Sequence, residues 1–318
     1  MNRRFAVIQA LFSLVALAAV VWWASHQDAP ELPSSSHALT WLAGAALLYA
    51  VATLLRGERW HRVLHLTEVD AERVDSYALT TVGYMGNNVL PARAGEMLRV
   101  VFLDRRTGGG KRALLGTVVA ERILDAIALG SIFVVVVYGI LRKTTLPSDR
   151  PLLVAAGLVV LAGVGFVAFG VLRRRGALER MHDFLRPLAG ASRALLSRQG
   201  LLLLAGSFVI WAVEASVYMS VARSVGLAIS GMGALYVVAL TNLFAMLPAA
   251  PGYVGTFDAA VIFSVKAIGG TGAAAFSYLL LLRFVLFLPI TVVGLLLLVA
   301  RYGGWSRFRA AARAEARA

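Results

Sequence analysis

A polar run at residues 86–99 carries the side chains that fit least well in this apolar chain: two amides, two arginines and a glutamate. Such groups are costly in hydrocarbon and are tolerated where they are buried in protein or line a wet cavity. Arg93, Glu96 and Arg99 recur at three-residue steps, which places them along one face of a helix. Because a guanidinium binds phosphate bidentately and stays charged, this run could receive an anionic headgroup.

Three further charged residues, Glu121, Arg122 and Asp125, lie within a long apolar stretch. Glu121 and Asp125 are one helical turn apart and therefore share a face. Their carboxylates could hold the arginines of the polar run in a fixed ion-pair network, or release them to a headgroup. A pair of carboxylates could also provide acid and base groups for a membrane transferase. The residues alone leave these three interpretations open.

The second half of the chain contains Glu214, Asp258 and Arg283 as isolated charges in apolar surroundings. Arg283 requires a counter-ion, which either acid could supply, and a plain salt bridge is favoured over a proton relay. In the first half, the amides of Asn87 and Asn88 could bind a ligand or satisfy backbone groups that a nearby proline leaves unpaired.

The composition places these residues in a membrane protein. Of the 318 residues, 59% are hydrophobic and 15% charged, and the mean hydropathy is +0.76. We predict an all-α polytopic membrane protein with about six full transmembrane helices, each about 20 apolar residues long. We expect one transmembrane domain over residues 1–301 and a cytoplasmic basic tail over 302–318. The predicted helices lie at residues 5–24, 38–55, 113–141, 152–172, 201–222 and 273–300.

Two further segments, residues 74–103 and 231–268, are interrupted by proline and glycine, and both contain Leu-Pro-x-x-x-Gly, starting at Leu90 and Leu247. The first would form about 45 Å of helix, which is long for one crossing and short for two. We therefore predict a broken helix or re-entrant hairpin there, and either a hairpin or two short spans for the second. Paired interruptions of this kind indicate a possible inverted repeat around a transport site.

The distribution of lysine and arginine favours a topology in which both interrupted segments cross the membrane an even number of times. Both termini then lie in the cytoplasm, as does a polar segment at residues 56–73, in which Trp60 marks the membrane interface. The first hairpin enters from the cytoplasm and the second from the opposite face. We expect a protein of the bacterial inner (plasma) membrane.

The net charge of +14 is carried by helix ends and loops, so it indicates contact with membrane lipids, in particular anionic ones, and not with nucleic acid. The chain has no cysteine, which excludes disulfides and thiolate metal sites. The sequence predicts no metal and no cofactor.

The order and spacing of these motifs over nearly the whole chain resemble the lysylphosphatidylglycerol synthase transmembrane, flippase-like family. This resemblance implies a translocase that binds or moves a phospholipid or lipid-linked headgroup. Two alternatives are an accessory subunit that presents a lipid-linked intermediate to a separate synthase or glycosyltransferase, and a membrane-embedded transferase. The positions that fit the family pattern are Pro91, Arg93, Gly95, Glu96, Arg99, Glu121, Arg122, Asp125, Pro251, Gly252 and Gly255.

The sequence departs from this family in two respects. Tyr253 stands where the family commonly has a second glycine, and Asp258 stands in for a later glutamate. The chain also ends after the membrane part, without a cytosolic aminoacyl-transferase domain. We therefore expect that it does not make lysylphosphatidylglycerol by itself and that its lipid can be a different one.

Overall fold

The computed structural model describes residues 35–90, 93–143, 197–246 and 251–303, together with Trp22 and Ser25. Within these ranges the chain is helical and contains no strand, which confirms the all-α prediction. The predicted helices at residues 5–24 and 152–172, as well as Pro91 and residues 304–318, lie outside the described residues. The helices are α1 (Ser36–Leu66), α2 (Arg73–Val89), α3 (Ala94–Thr107), α4 (Lys111–Lys143), α5 (Arg198–Ser224), α6 (Gly231–Ala245), α7 (Thr256–Ala267) and α8 (Gly272–Tyr302).

Three helices of the described chain, α1, α5 and α8, are long and apolar enough to cross a membrane. They contain 31, 27 and 31 residues. Helix α4 has 33 residues and carries Glu121, Arg122 and Asp125 in its first half. The predicted number of about six full spans also includes helices outside the described residues.

Helix α1 continues beyond the end predicted for it. The sequence predicted that this helix ends at residue 55 and that a polar interfacial segment follows. This prediction was wrong, because the helix continues to Leu66. Arg56 and Arg59 are 4% and 3% exposed, and Trp60 is fully buried. Their spacing of three to four residues continues the buried face of α1, so these charges belong to the protein interior and not to a loop.

Helices α2 and α3 form an antiparallel hairpin, as predicted for the first interrupted segment. Three glycines allow their backbones to approach closely. A Cβ atom on Gly95 would lie 1.9 Å from the carbonyl oxygen of Gly83, and one on Gly86 would lie 2.6 Å from the Cα of Gly95. Small residues at such positions are what close packing of membrane helices requires.

The second interrupted segment is also a hairpin. Helices α6 and α7 have 15 and 12 residues, fewer than the about 20 that a full crossing needs. Their outer ends lie together, because a Cβ atom on Gly233 would be 3.6 Å from Cδ1 of Ile268. Of the two arrangements that the sequence left open, the structure therefore has the hairpin.

The turn of the second hairpin has left-handed backbone at three positions. Gly252, Tyr253 and Gly255 have φ values of 63°, 55° and 88°. Glycine adopts this conformation freely, whereas a residue with a side chain is strained by roughly 1–3 kcal/mol. Tyr253, which stands where the family resemblance predicts a glycine, therefore keeps the turn geometry at a cost, and its ring contacts Phe287 at a centroid distance of 6.5 Å.

The two hairpins enter the bundle from opposite ends of α8. The start of α2 contacts the end of α8 through a hydrogen bond of 2.8 Å from Arg301 to Asp75. The second hairpin instead leads directly into the start of α8 at Gly272. Helices α1 and α5 pack antiparallel, with Arg59 beside Ser207 and Arg223 over the ring of Trp41. Each half therefore has the same order of a long helix, a short hairpin and a long helix.

A carboxylate fixes the base of the first hairpin. Asp75, which is 2% exposed, accepts hydrogen bonds of 2.8 Å from both Arg301 and the hydroxyl of Tyr302. It also pairs with Arg106 at 2.9 Å. These donors come from α3 and α8, so Asp75 joins both helices of the hairpin to the end of α8. We call these four residues the base cluster.

Candidate functional site

The tips of the two hairpins meet in the interior of the bundle. Arg93, with a left-handed φ of 57°, starts α3 and donates a hydrogen bond of 3.2 Å to the carbonyl of Ala245 at the end of α6. Its guanidinium also lies 5.8 Å from the ring centroid of Tyr253. A Cβ atom on Gly252 would lie 3.4 Å from the carbonyl oxygen of Asn88, so the two turns are in direct contact.

A cavity of about 80 Å³ lies beside this contact, between the tips and the long helices. It has room for several water molecules, since one needs about 10–15 Å³. Its wall is partly aromatic and partly charged, which is typical of sites that hold an amphipathic ligand. The lining side chains include Tyr49, Arg56, Tyr84, Asn88, Arg93, Arg122, Asp125, Trp211, Glu214, Tyr218, Asn242, Tyr253 and Phe287.

Seven charged residues form one chain of ion pairs that ends at this cavity. Arginines and carboxylates alternate along it, and both end members are arginines. Four guanidinium groups therefore face three carboxylates, so within the described part of the chain this group carries one surplus positive charge. We call this group the alternating chain. In order, its members are Arg99, Glu121, Arg59, Asp125, Arg122, Glu96 and Arg93.

The inner part of the alternating chain is tightly bonded. Arg99 contacts Glu121 at 2.6 Å, and its guanidinium lies 4.6 Å from the ring centroid of Trp60. Arg59 binds Asp125 through two nitrogens at 2.6 and 3.1 Å, and also donates to Ser207 at 2.8 Å. Such paired, buried guanidinium groups fix the relative positions of α1, α3, α4 and α5.

The outer part of the alternating chain is looser. Arg122 reaches Glu96 at 3.6 Å and Asp125 at 3.5 Å, both beyond ordinary hydrogen-bond distance. Its Nε is buried and has no hydrogen-bond partner among the described residues. Its side chain is 26% exposed, compared with 3% for Arg59 and 5% for Arg99. Arg122 is therefore the member of the chain that is most available to a ligand.

A separate ion pair joins α1 to α5 on the same cavity. Arg56 contacts Glu214, and both side chains are 5% exposed. The Arg56 guanidinium lies 5.6 Å from the ring centroid of Tyr84 and 5.1 Å from that of Trp211. Because this pair is neutral as a whole, it does not change the surplus positive charge of the alternating chain.

The predicted site residues divide into cavity-lining and supporting groups. Asn88, Arg93, Arg122 and Asp125 line the cavity. Glu96 pairs with Arg93 at 2.8 Å beside it. Arg99 and Glu121 are not among the lining residues, so the expectation that Arg99 receives a headgroup directly has no support in this geometry. The predicted glycines and the proline have structural roles. Gly95 packs the first hairpin, and Pro251, Gly252 and Gly255 form the turn of the second.

The remaining predicted residues have partners that the sequence left open. Arg283 pairs with Asp258 at 2.5 Å and not with Glu214, and it also donates to the carbonyl of Gly252. Asp258 in turn accepts from the backbone of Gly255 and caps α7. These contacts stabilise the turn of the second hairpin.

The two amides of the first hairpin differ in their bonding. Asn88 donates to the hydroxyl of Thr291 at 2.9 Å and so joins the tip to α8. The side-chain oxygen of the buried Asn87 has no hydrogen-bond partner among the described residues. Asn87 also lies beside Gly95. The amide of Asn88 is therefore occupied by a hydrogen bond between helices, whereas, within the described chain, the side-chain oxygen of Asn87 is not.

Several residues of the site were not predicted from the sequence, among them Arg56, Arg59, Tyr84, Trp211 and Tyr218. Arg56 and Arg59 were assigned to a cytoplasmic segment, although their three-residue spacing on a continued α1 was a usable signal. Tyr84, Trp211 and Tyr218 carry no charge and were not singled out. Their role at the cavity depends on contacts between helices, which a single sequence does not show.

Comparison with known proteins places the chain among membrane proteins. The lysylphosphatidylglycerol synthase TM region family matches residues 7–294, which confirms the resemblance drawn from the motifs. A UPF0104 membrane protein of Pyrococcus horikoshii is 22% identical over 89% of this chain and 93% of its own length. One of Methanocaldococcus jannaschii is 22% identical over 65% and 90%.

A longer relative carries an enzyme name. Glycosyltransferase AglD of Haloferax volcanii is 23% identical over 80% of this chain but 47% of its own length. The chain thus spans about half of that relative. These relatives are archaeal, so they do not favour the expected bacterial inner membrane over an archaeal plasma membrane. No solved structure matches the chain.

Proposed function

The chain belongs to the lysylphosphatidylglycerol synthase TM region family, and from this membership we propose that it is a lipid translocase. Its cargo is the headgroup of a phospholipid or of a lipid-linked intermediate. The observation that carries the proposal is the charged cavity where two hairpins from opposite ends of the bundle meet. A headgroup is costly to move through hydrocarbon, and a buried polar cavity lowers that cost.

The repeated order of helices supports this function. Each half supplies one hairpin, and α1 and α5 of the two halves are antiparallel. We infer an inverted repeat, the arrangement in which transporters bind their substrate between the halves. Opening the contact between Arg93 and the second hairpin from one side and then from the other gives the cavity access to each leaflet in turn.

The protein lies in the plasma membrane with both termini and the base cluster on the cytoplasmic side. The absence of cysteine from the chain allows single-cysteine labelling to test this orientation. We expect a membrane-impermeant maleimide added to intact cells to label a cysteine placed in residues 225–230. The same reagent should label one in residues 104–112 only after the membrane is permeabilised. Labelling with the reverse sidedness would contradict the orientation.

Replacing Arg93 with alanine should slow lipid translocation at least about tenfold. The variant removes a guanidinium from the cavity, and hydrogen bonds to charged groups contribute about 1.5–3 kcal/mol to binding. The measurement is the transfer of fluorescent phospholipids between leaflets of liposomes that contain the purified protein. Arg223→Ala is the matched control, since Arg223 is exposed and lies over Trp41, away from the cavity. Equal translocation by Arg93→Ala and the wild-type protein would contradict the proposal.

A second candidate is an accessory subunit that presents a lipid-linked intermediate to a separate synthase or glycosyltransferase. The name of the longer relative favours it, because that protein combines a matching region with additional chain. Co-purification of such an enzyme, with no translocation by the protein alone, would support this candidate over the translocase.

A membrane transferase would use Glu121 or Asp125 as its acid or base. Both carboxylates contact Arg59, and Glu121 is not among the cavity-lining residues. These contacts favour an ion-pair role. Formation of a lipid product that depends on either carboxylate would support the transferase instead.

A further inference from the structure

We infer that the cavity selects a headgroup whose net charge is −1 and is carried by a phosphodiester, and that Arg122 is the residue that binds this phosphodiester. This inference rests on the proposed function, which places a lipid headgroup in the same cavity. It goes further by stating the charge class of the cargo and the side chain that recognises it.

The alternating chain carries a surplus of charge among the described residues. Its four arginines and three carboxylates leave one positive charge in the protein interior. The neighbouring pairs Arg56 with Glu214 and Arg283 with Asp258 are each neutral. An uncompensated charge is costly in a low-dielectric interior. One monoanion neutralises it, whereas a zwitterion leaves it and a dianion reverses it.

The four arginines of the alternating chain differ in how firmly they are bonded. Arg59 and Arg99 are held by short contacts to carboxylates and do not line the cavity. Arg93 is engaged by Glu96 and by the carbonyl of Ala245. Arg122 lines the cavity, makes no contact to a carboxylate shorter than 3.5 Å, and has a buried Nε without a partner among the described residues. It can therefore turn to a ligand without breaking a hydrogen bond.

The size of the cavity fits a phosphodiester. A cavity of about 80 Å³ holds several water molecules, and so has room for a phosphodiester with some of its hydration. Arg93 also lines the cavity and shares Oε1 of Glu96 with Arg122, so it can supply a second charged contact, and a guanidinium matches the planar fork geometry of phosphate oxygens.

The test is titration calorimetry of the full-length protein in detergent with three short-chain lipids. Dihexanoyl phosphatidylglycerol carries a monoanionic phosphodiester, dihexanoyl phosphatidic acid a more highly charged phosphomonoester, and dihexanoyl phosphatidylcholine a zwitterion. We expect phosphatidylglycerol to bind the wild-type protein most tightly. Equal binding of phosphatidylcholine and phosphatidylglycerol would overturn the inference.

Three variants separate charge recognition from folding. Arg122→Gln makes the alternating chain neutral and should weaken phosphatidylglycerol binding about 10- to 100-fold, since hydrogen bonds to charged groups are the strong ones. Arg122→Lys keeps the charge but loses the planar fork, so its affinity should lie between those of the wild-type protein and Arg122→Gln. Glu96→Gln adds a positive charge and should shift the preference towards phosphatidic acid. Unchanged phosphatidylglycerol affinity in Arg122→Gln would overturn the assignment of Arg122.

The source of the phosphodiester and the proposed function are tested separately. Soluble glycerophosphoglycerol supplies the same phosphodiester without acyl chains, and binding as tight as that of the lipid would overturn the assignment to a lipid headgroup. Arg122-dependent phosphatidylglycerol binding without translocation of any lipid would overturn the translocase function and support the inference. Translocation of phosphatidylcholine and phosphatidylglycerol at equal rates would support the translocase function and overturn the inference.

Discussion

Replacing Glu214 with alanine is expected to lower the free energy of unfolding by about 3–5 kcal/mol, because it leaves the buried Arg56 without a counter-ion. Both side chains are 5% exposed, so the remaining charge is largely shielded from bulk water. Arg56 also lies between Tyr84 and Trp211, and these rings hold the guanidinium in place. Thermal or denaturant unfolding of the purified protein in detergent would measure the loss.

A matched double variant distinguishes the cost of leaving a buried charge unpaired from the cost of losing the ion pair itself. Arg56→Met with Glu214→Leu removes both charges and should recover most of the stability, as apolar replacements of buried ion pairs do. Glu72→Ala is the control for loss of an exposed carboxylate, because its side chain is 70% exposed, and should cost less than about 1 kcal/mol. A Glu214→Ala variant as stable as the Glu72→Ala control would show that the pair is dispensable.

Replacing Gly95 with alanine should disrupt the first hairpin and lower the stability by at least about 3 kcal/mol, above the usual cost of overpacking. The new Cβ would lie 1.9 Å from the carbonyl oxygen of Gly83 and 2.5 Å from the backbone nitrogen of Asn87. Both obstacles are backbone atoms, so no side-chain rotation removes the clash. The melting temperature in detergent would report the loss, and lipid translocation should fall with it because Arg93 lies two residues away.

Gly206 in α5 provides the matched control for Gly95. It also lies in a helix, but a Cβ atom there would meet nothing within 4 Å. Gly206→Ala should therefore leave the protein as stable as before, or up to about 1 kcal/mol more stable, since alanine favours helix over glycine. Equal melting temperatures for Gly95→Ala and Gly206→Ala would contradict the close packing of the first hairpin.

The hairpins were predictable because their signals are local. Pro91 and Pro248 lie where a long apolar helix would otherwise continue, and proline and glycine interrupt helices wherever they occur. The ends predicted for α4, α5 and α8 also fall within a few residues of the observed ones. Apolar length and helix-breaking residues are properties of neighbouring positions, so one sequence is enough to predict them.

The ion pairs of the site were less predictable because they join distant positions. Arg59 binds Asp125, 66 residues later, and Arg56 binds Glu214, 158 residues later. Charge counting assigned both arginines to the cytoplasm, since the positive-inside rule treats each arginine as exposed. Both arginines are instead buried beside a counter-ion on another helix, so the rule does not apply to them. Only the packing of α1 against α4 and α5 reveals this burial.

Tyr253 shows how a departure from a family motif can preserve the backbone. The residue adopts the left-handed conformation that a glycine would take more easily. Its ring contacts Phe287 and the guanidinium of Arg93, neither of which a glycine could reach. The tyrosine therefore strains the turn but adds an aromatic contact between the two hairpin tips.

The base cluster sets the mechanics of the first hairpin. Asp75 fixes the outer ends of α2 and α3 to the end of α8, while the tip makes one hydrogen bond to the second hairpin. Once the hydrogen bonds of the tip from Asn88 to Thr291 and from Arg93 to Ala245 are released, the hairpin can pivot about this anchor, and its displacement grows with distance from Asp75. Helix α2 is about 25 Å long, and each degree of rotation about Asp75 therefore shifts Arg93 by about 0.4 Å. A tilt too small to disturb the anchored end is thus enough to separate the two tips.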